Sequence, residues 1–217
     1  MKIHKKLEQR SPEWYKLRAG KLTCSALGNI LTPAKLAISK SIVEYAYEKA
    51  AEIITGEIEP MTENWQMKRG VELEPEAVRC YEEHKGVTVE RVGFIEGHYH
   101  IGYSPDGLVG DDGLIEIKCP SPKVHFKTLL DGKIDGKYML QMQGGMLASG
   151  RQWCDFISYS EGLALAVIRV ERDEVICDAI KKASEEFFNR VNEYVSHHNR
   201  MVMDGAFLTT KPEVIEL

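Results

Sequence analysis

The residues able to do chemistry concentrate in one stretch of this chain. It runs Ser104-Pro105-Asp106-Gly107, then Gly113-Leu114-Ile115-Glu116-Ile117-Lys118-Cys119-Pro120. Taken alone, Ser-Pro-Asp-Gly is a common β-turn formula, and Glu-Ile-Lys is one alternation along a solvated strand face. Their spacing makes them more than that. Strand period puts Glu116 and Lys118 on one face and turns Ile117 into the core. Asp106 stands ten residues before Glu116, so a hairpin brings the turn beside the strand. An Asp and a Glu converging there form a hard oxygen site suited to Mg²⁺ or Mn²⁺. The Ile117 carbonyl can add a further ligand, and Lys118 can orient a metal-bound water or offset phosphate charge. This set predicts metal-assisted phosphodiester hydrolysis. A second carboxylate donor is expected from the helix after Gly70, which carries Glu72, Glu74 and Glu76. Helical spacing sets Glu72 and Glu76 on one face and Glu74 nearly opposite, and periodicity does not choose between them.

These residues need a scaffold, and the chain has enough length for one sizeable core: 217 residues, 43% of them hydrophobic. The composition excludes a disordered chain or a disulfide-stapled miniprotein. A net charge of −5 excludes a polybasic nucleic-acid binder, while leaving room for a local basic stripe. Five scattered cysteines, with no C-x-x-C pair, predict free thiols in a reducing cytoplasm rather than a zinc or iron–sulfur site. Without a signal-type apolar segment or a membrane-length apolar run, the chain reads as cytoplasmic.

The expected architecture is one α/β domain, a central mixed β-sheet flanked by helices. A helical N-terminal part (11–86) precedes a catalytic sheet core (87–171), a final helix (173–200) and a tail. Ser11 caps a short helix with Pro12 in its first turn. A second short helix begins near Thr23, and a longer one runs from about Ser39 to Thr55, stopped by Gly56. Another spans about Glu63 to Lys85, with Pro75 inside it. Short strands follow at Val87–Ile95, Tyr99–Tyr103 and Leu114–Cys119. Helices are expected from Pro122 to about Leu130 and over Tyr138–Ala148, then strands at Trp153–Tyr159 and Leu163–Val170. Asp173 caps the last helix, whose buried stripe is Ile176, Ile180, Ala183, Phe187, Val191 and Tyr194.

Six blocks, in order and with matching internal gaps, resemble one family. They are Trp14-Tyr-Lys-Leu-Arg18 with Gly20 and Thr23-Cys-Ser25; Arg69-Gly70-x-x-x-Glu74; Ala77-x-x-x-Tyr81; Ser104-Pro-Asp106-Gly; Glu116-Ile-Lys118-Cys-Pro120; and Tyr138-Met-x-Gln141-x-Gln143. Over most of residues 11–200 the chain is similar to the phage lambda exonuclease family of viral recombination nucleases, with its restriction-endonuclease-like PD-(D/E)xK core. The resemblance implies a Mg²⁺-dependent exonuclease with two metal ions per site. Such an enzyme degrades one strand of linear duplex DNA from the 5′ end to mononucleotides. It leaves a 3′ overhang for a phage single-strand annealing protein, in a bacterial host cell. Carried over by position, Asp106, Glu116 and the Ile117 carbonyl hold one metal, Glu74 joins Asp106 at the second, and Lys118 activates the attacking water. Arg18, Ser25, Ser104 and Gln141 fall at a pocket for the 5′ phosphate, and Met67 near an apolar wedge that splits the terminal base pairs. Family members form a trimeric ring around the DNA. The segment Thr32–Ser39 does not align cleanly with the family's basic loop, so a DNA contact by Lys35 is left open.

Several residues fall outside these motifs. His98 and His100 are expected to share a strand face as an ordinary pair with no third metal ligand, and His197-His198 to complement the last helix's C-terminus. Trp14, Trp65 and Trp153 read as core or interface. Lys16, Lys21, Lys68, Arg69 and Lys123 are candidate phosphate contacts, and the tail residues Met201, Met203, Phe207 and Leu208 have no assigned role. The rival readings are another nuclease of the same superfamily, such as an endonuclease, and a non-catalytic DNA-end binder. The complete set of acidic residues and lysine argues against the second.

Overall fold

The chain folds around two small mixed sheets, described here from a computed structural model covering residues 1–58 and 65–206. The first sheet has the order β1-β4-β5-β2, from Lys2–His4, Phe94–Glu96, Ile101–Tyr103 and Leu22–Thr23. The second has the order β3-β6-β7-β8-β9, from Val89–Glu90, Gly107–Val109, Gly113–Lys118, Trp153–Ser158 and Ala166–Glu171. Its centre is β7, antiparallel to β6 and parallel to β8. A parallel neighbour requires a crossover. Helices α4 (Pro122–Asp131) and α5 (Gly136–Ser149) make it.

The α/β class expected from the sequence stands, with one correction: the sheet is divided in two. Strands β1 and β2 are two or three residues long, too short to show a period, and β2 interrupts the stretch read as helical. A second correction concerns His98 and His100. They lie in a 3₁₀ turn, not on a strand, with Tyr99 and His100 both in the left-handed region. Strand β5 starts only at Ile101. The short helix near Thr23 is a 3₁₀ turn over Cys24–Asn29.

The longer helices follow their sequence signals. Ser11 Oγ accepts from Trp14 N–H and opens α1 (Pro12–Arg18). Helix α2 (Ile42–Thr55) ends on Gly56 in the left-handed conformation. Helix α3 (Trp65–Lys85) carries Pro75 inside it; its expected start at Glu63, like the tail residues Phe207 and Leu208, lies outside the described residues. Asp173 caps α6 (Glu174–Met203) through the N–H groups of Val175 and Ile176. No helix among the described residues is long and apolar enough to cross a membrane.

Strand alternation divides the interior into two cores on either side of β7. Leu114 faces the larger one, with Leu27, Tyr103, Met142, Phe156 and Phe187. Ile115 and Ile117 face the smaller one, where Ala77, Val78 and Tyr81 bring α3 against the sheet. With both faces covered, every residue of β7 except Lys118 is buried. Glu116 shares the parity of Leu114, so its carboxylate enters the side that α5 closes.

Two adjacent glycines let α5 lie close. A Cβ on Gly144 would fall 2.3 Å from Leu27 Cδ1, and one on Gly145 would fall 2.6 Å from Tyr103 Cζ. Gly145→Ala would drive a methyl into a fully buried ring and is expected to cost about 1–3 kcal/mol, by the usual penalty for overpacking. Urea denaturation monitored by circular dichroism checks this, with the denaturation slope expected to stay constant.

Candidate active site

The turn from β5 to β6 sets Asp106 against the end of β7. The β6–β7 register pairs Gly107 with Ile115, and Asp106 Oδ2 accepts the Ile117 N–H at 2.6 Å. That bond fixes the carboxylate beside Glu116. Glu116 is fully buried. Its Oε1 accepts from the Lys118 ammonium, which lies 4.9 Å above the Tyr138 ring of α5. Its Oε2 is buried and has no hydrogen-bond partner among the described residues. An unpaired buried charge is costly and calls for a compensating group.

The electrostatics point the same way. Burial, then the neighbouring Glu116, pushes the Asp106 carboxyl well above the usual carboxylate range, against the pull of Lys118. Burial also works against the Lys118 ammonium, but Glu116 and Asp106 outweigh it and raise its pKa. Two carboxylates and one lysine leave a deficit of positive charge. A divalent cation would correct it, and the unpartnered oxygen of Glu116 is the donor it would take. The donor set fits Mg²⁺ or Mn²⁺, both oxygen-seeking.

Glu74 is the acidic residue of α3 that faces this centre, and its charge bears on Asp106. It is held by Arg91, whose Nη1 also donates to the Asp106 carbonyl at 2.9 Å. Glu72 is exposed, and Glu76 pairs with Arg79. Among the described residues no three His, Cys, Asp or Glu side chains form a ready-made cation cluster. Glu74 sits at the rim, on Arg91, rather than inside a three-carboxylate cage.

Of the four residues assigned to a phosphate pocket, two meet directly. Arg18 Nη1 donates to Ser104 Oγ at 3.2 Å, and its guanidinium lies 4.0 Å above the Trp14 ring. Trp14 Nε1 donates to the same Ser104 oxygen at 3.0 Å. Burial lowers the Arg18 pKa, but a guanidinium remains charged. Ser25 is exposed on the 3₁₀ turn, with Thr23 Oγ1 3.4 Å from its hydroxyl. Gln141 lies three and four residues before Gly144 and Gly145, on the α5 face that meets this turn and β5. Arg18 of α1 and Ser104 of the β5–β6 turn thus meet, while Ser25 and Gln141 are carried by the 3₁₀ turn and α5, which pack on one another.

Gly20, already part of the first sequence block, is held in place by two charged residues that no motif contains. Gly20 follows α1 in the left-handed conformation, where a Cβ would fall 2.4 Å from Ile53 Cγ1. Its N–H donates to buried Glu52, which Lys49 also holds at 2.6 Å. This pair pins the end of α1 and thereby Arg18. Both are buried on the side that α2 packs inward with Ile42, Ala46 and Ala50, and neither belongs to a sequence motif. Trp14 is half-buried as Arg18's platform, Trp153 packs under Arg169 at 3.5 Å, and Trp65 is exposed, so of the core or interface expected for it the core is excluded. Met67 is partly exposed on the first turns of α3, and Lys35 is exposed on a tight turn held by the Leu31–Ile38 bridge.

Fold and site together define an α/β protein in which two carboxylates and a lysine meet at the end of a central strand. The YqaJ-like viral recombinase domain matches residues 13–152, and the chain belongs to that family. This bears out the resemblance carried by the six sequence blocks. An alkaline exonuclease from Laribacter hongkongensis is 36% identical and superposes with a TM-score of 0.81, covering 89% of this chain and 99% of that one. A second structure of that enzyme, in complex with dAMP, matches with the same values. A phage-related exonuclease from Haemophilus somnus 129PT shares the fold at 18% identity, with a TM-score of 0.61 over 82% of this chain and 96% of that one. No curated protein matches the chain significantly.

The charge deficit yields a test without DNA. Mn²⁺ at about a hundredfold over its dissociation constant should stabilise the parent protein by about 2.7 kcal/mol. Asp106→Asn should raise stability in chelator at neutral pH, because a repelled carboxylate is removed, and should lose the Mn²⁺ gain. Lys118→Ala should do the opposite. It leaves Glu116 unpaired, costing about 3 kcal/mol in chelator, and keeps the Mn²⁺ gain. Thermal melts in chelator and in Mn²⁺ separate the three proteins.

Proposed function

We propose that this protein is a divalent-metal-dependent exonuclease that digests one strand of linear duplex DNA from its 5′ end. The observation that carries this reading is the two-residue separation of Ser104 and Asp106. A phosphate held by Arg18 and Ser104 would lie beside the carboxylate pair, so the end group selects which phosphodiester is cut. The relationship to the Laribacter enzyme, an alkaline exonuclease crystallised with dAMP, supports the same class of reaction.

Each residue then has a definable task. Asp106, Glu116 and the Ile117 carbonyl would hold one Mg²⁺, and Glu74 with Asp106 a second; Mn²⁺ substitutes. Bound there, the cations supply a nucleophilic water at neutral pH and neutralise charge on the phosphate. Lys118 is an ammonium with three donors and no acceptor, so it orients the attacking water and attracts the phosphate oxygens. The Ile117 N–H keeps Asp106 in place throughout. Arg18 binds the terminal phosphate through charge-assisted hydrogen bonds, with Ser25, Ser104 and Gln141 as neutral partners. Met67 is the candidate wedge at the duplex end.

The biological assignment is a recombination nuclease of a phage or prophage, working in the bacterial cytoplasm with a single-strand annealing protein that takes the 3′ overhang. A net-acidic enzyme that stays on DNA needs its basic groups concentrated where the duplex passes. A homotrimeric ring meets that need.

Linear duplex labelled separately at its 5′ and 3′ ends tests the reaction: early release of the 5′ label is expected, and covalently closed DNA should remain intact. Cutting of closed circles would favour an endonuclease. Phosphorylated 5′ ends should be digested faster than hydroxyl ends, and Arg18→Ala should shrink that preference while leaving the Mn²⁺ stabilisation in place. Equal slowing of both substrates by that variant would remove Arg18 as the anchor. Sedimentation velocity should give a trimer, and digestion should persist after competitor DNA is added. A monomer with distributive digestion would contradict the ring.

A further inference from the structure

Arg91 belongs to none of the motifs above, yet it touches two of the elements that carry the site's acids. It lies between β3 and β4, and a single nitrogen, Nη1, donates both to Glu74 on α3 and to the Asp106 carbonyl in the β5–β6 turn. The same turn is tied from another direction. Gln9 Nε2 donates to the Pro105 carbonyl at 3.0 Å and to the Val92 carbonyl at 3.2 Å. Arg91 therefore closes a bridge from α3, through the β3–β4 loop, to the backbone of the metal-binding turn.

An ordinary surface ion pair would not need this arrangement. The Arg79 pairs with Glu76 and Glu83 lie within one helix, in solvent, and such pairs contribute little. Arg91 instead joins a carboxylate to a backbone carbonyl from another segment, and the carbonyl fixes where the guanidinium stands. Among the described residues Arg91 is the hydrogen-bond partner that orients Glu74, as the Ile117 N–H orients Asp106 and Lys118 orients Glu116. Beside two other carboxylates, the charge of Glu74 alone would turn it outward. Arg91 also lines a cleft of about 330 Å³ with Lys5, Arg10, Glu74 and Val92, so it approaches from the solvent side.

We propose that Arg91 is a positioning residue that registers the Glu74 carboxylate against Asp106 for the second divalent cation. This rests on the metal-nuclease reading above. Fixed on the Asp106 carbonyl, the guanidinium keeps Glu74 at the rim of the centre, beside the residue that would hold the cation. Outer groups that orient metal ligands typically matter by ~10–100-fold in metal affinity.

The test compares Arg91→Ala and Arg91→Lys in the parent and in a Glu74→Gln background. Mn²⁺ titration calorimetry without DNA is run beside digestion rates measured across Mn²⁺ concentrations. Arg91→Ala should weaken the second Mn²⁺ by ~10–100-fold and raise the Mn²⁺ needed for half-maximal digestion by a similar factor, with excess Mn²⁺ restoring most of the turnover. Arg91→Lys should recover part of the loss, since an ammonium can reach one of the two acceptors. In the Glu74→Gln background, Arg91→Ala should add nothing, because the two residues act as one unit. Unchanged or tighter Mn²⁺ binding by Arg91→Ala, or effects that add across the two backgrounds, would overturn the assignment. A parent protein that neither binds Mn²⁺ nor digests DNA would overturn the nuclease reading and this one with it. A parent that does both while Arg91→Ala behaves identically overturns the Arg91 role alone.

Discussion

A carboxylate with an unpartnered oxygen, buried in the middle of the sheet, is the constraint around which this structure is arranged. Glu116 occupies a position on β7 that the flanking strands and α5 seal from water. Left alone, such a charge would cost more than a small domain can spare. Lys118 compensates one oxygen from the same strand face, two residues on. The second oxygen is left for a ligand. An isolated apolar core would tolerate a leucine there far better, so the acid is retained at the expense of stability, as active sites commonly require.

The neighbours of Glu116 follow from that expense. Asp106 can stand next to it only because the Ile117 N–H holds its oxygen. That N–H is available because β6 meets β7 only up to Ile115, leaving the last residues of β7 free on that edge. The short antiparallel partner is therefore what opens a donor for the acid. Arg91 and Lys118 both hold the acidic centre, one through Glu74 and the Asp106 carbonyl and the other through Glu116.

The proposed phosphate pocket depends on a different kind of economy. Its four residues come from separate segments, each placed by a local device: Ser11 capping α1, Glu52 and Lys49 seizing Gly20, and Gly144 and Gly145 allowing α5 to close on Leu27 and Tyr103. Arg18 is stiffened by stacking on Trp14, which holds the Ser104 hydroxyl as well. A flexible arginine loses entropy when it binds an anion, and this platform reduces that loss.

The sequence alone determined the parts whose physics is local. Ser11 and Asp173 cap helices, and Gly56 and Gly86 end them, because capping depends on a few adjacent backbone groups. Strand period alone placed Glu116 and Lys118 on one face, and the ten-residue gap brought Asp106 to them. Tertiary structure decided the rest. Periodicity left Glu74 level with Glu72 and Glu76; the packing of α3 on Ile115 and Ile117 is what turns Glu74 to the centre. The split of the sheet rests on β1 and β2, whose pairing energy comes from distant partners rather than from their own two or three residues. Glu52 and Arg91 belong to no sequence motif, because the partners that give them a task, the Gly20 N–H for one and Glu74 and the Asp106 carbonyl for the other, lie far away in the chain. Contacts between residues far apart in the chain carry no local signature, and only the folded molecule brings them together.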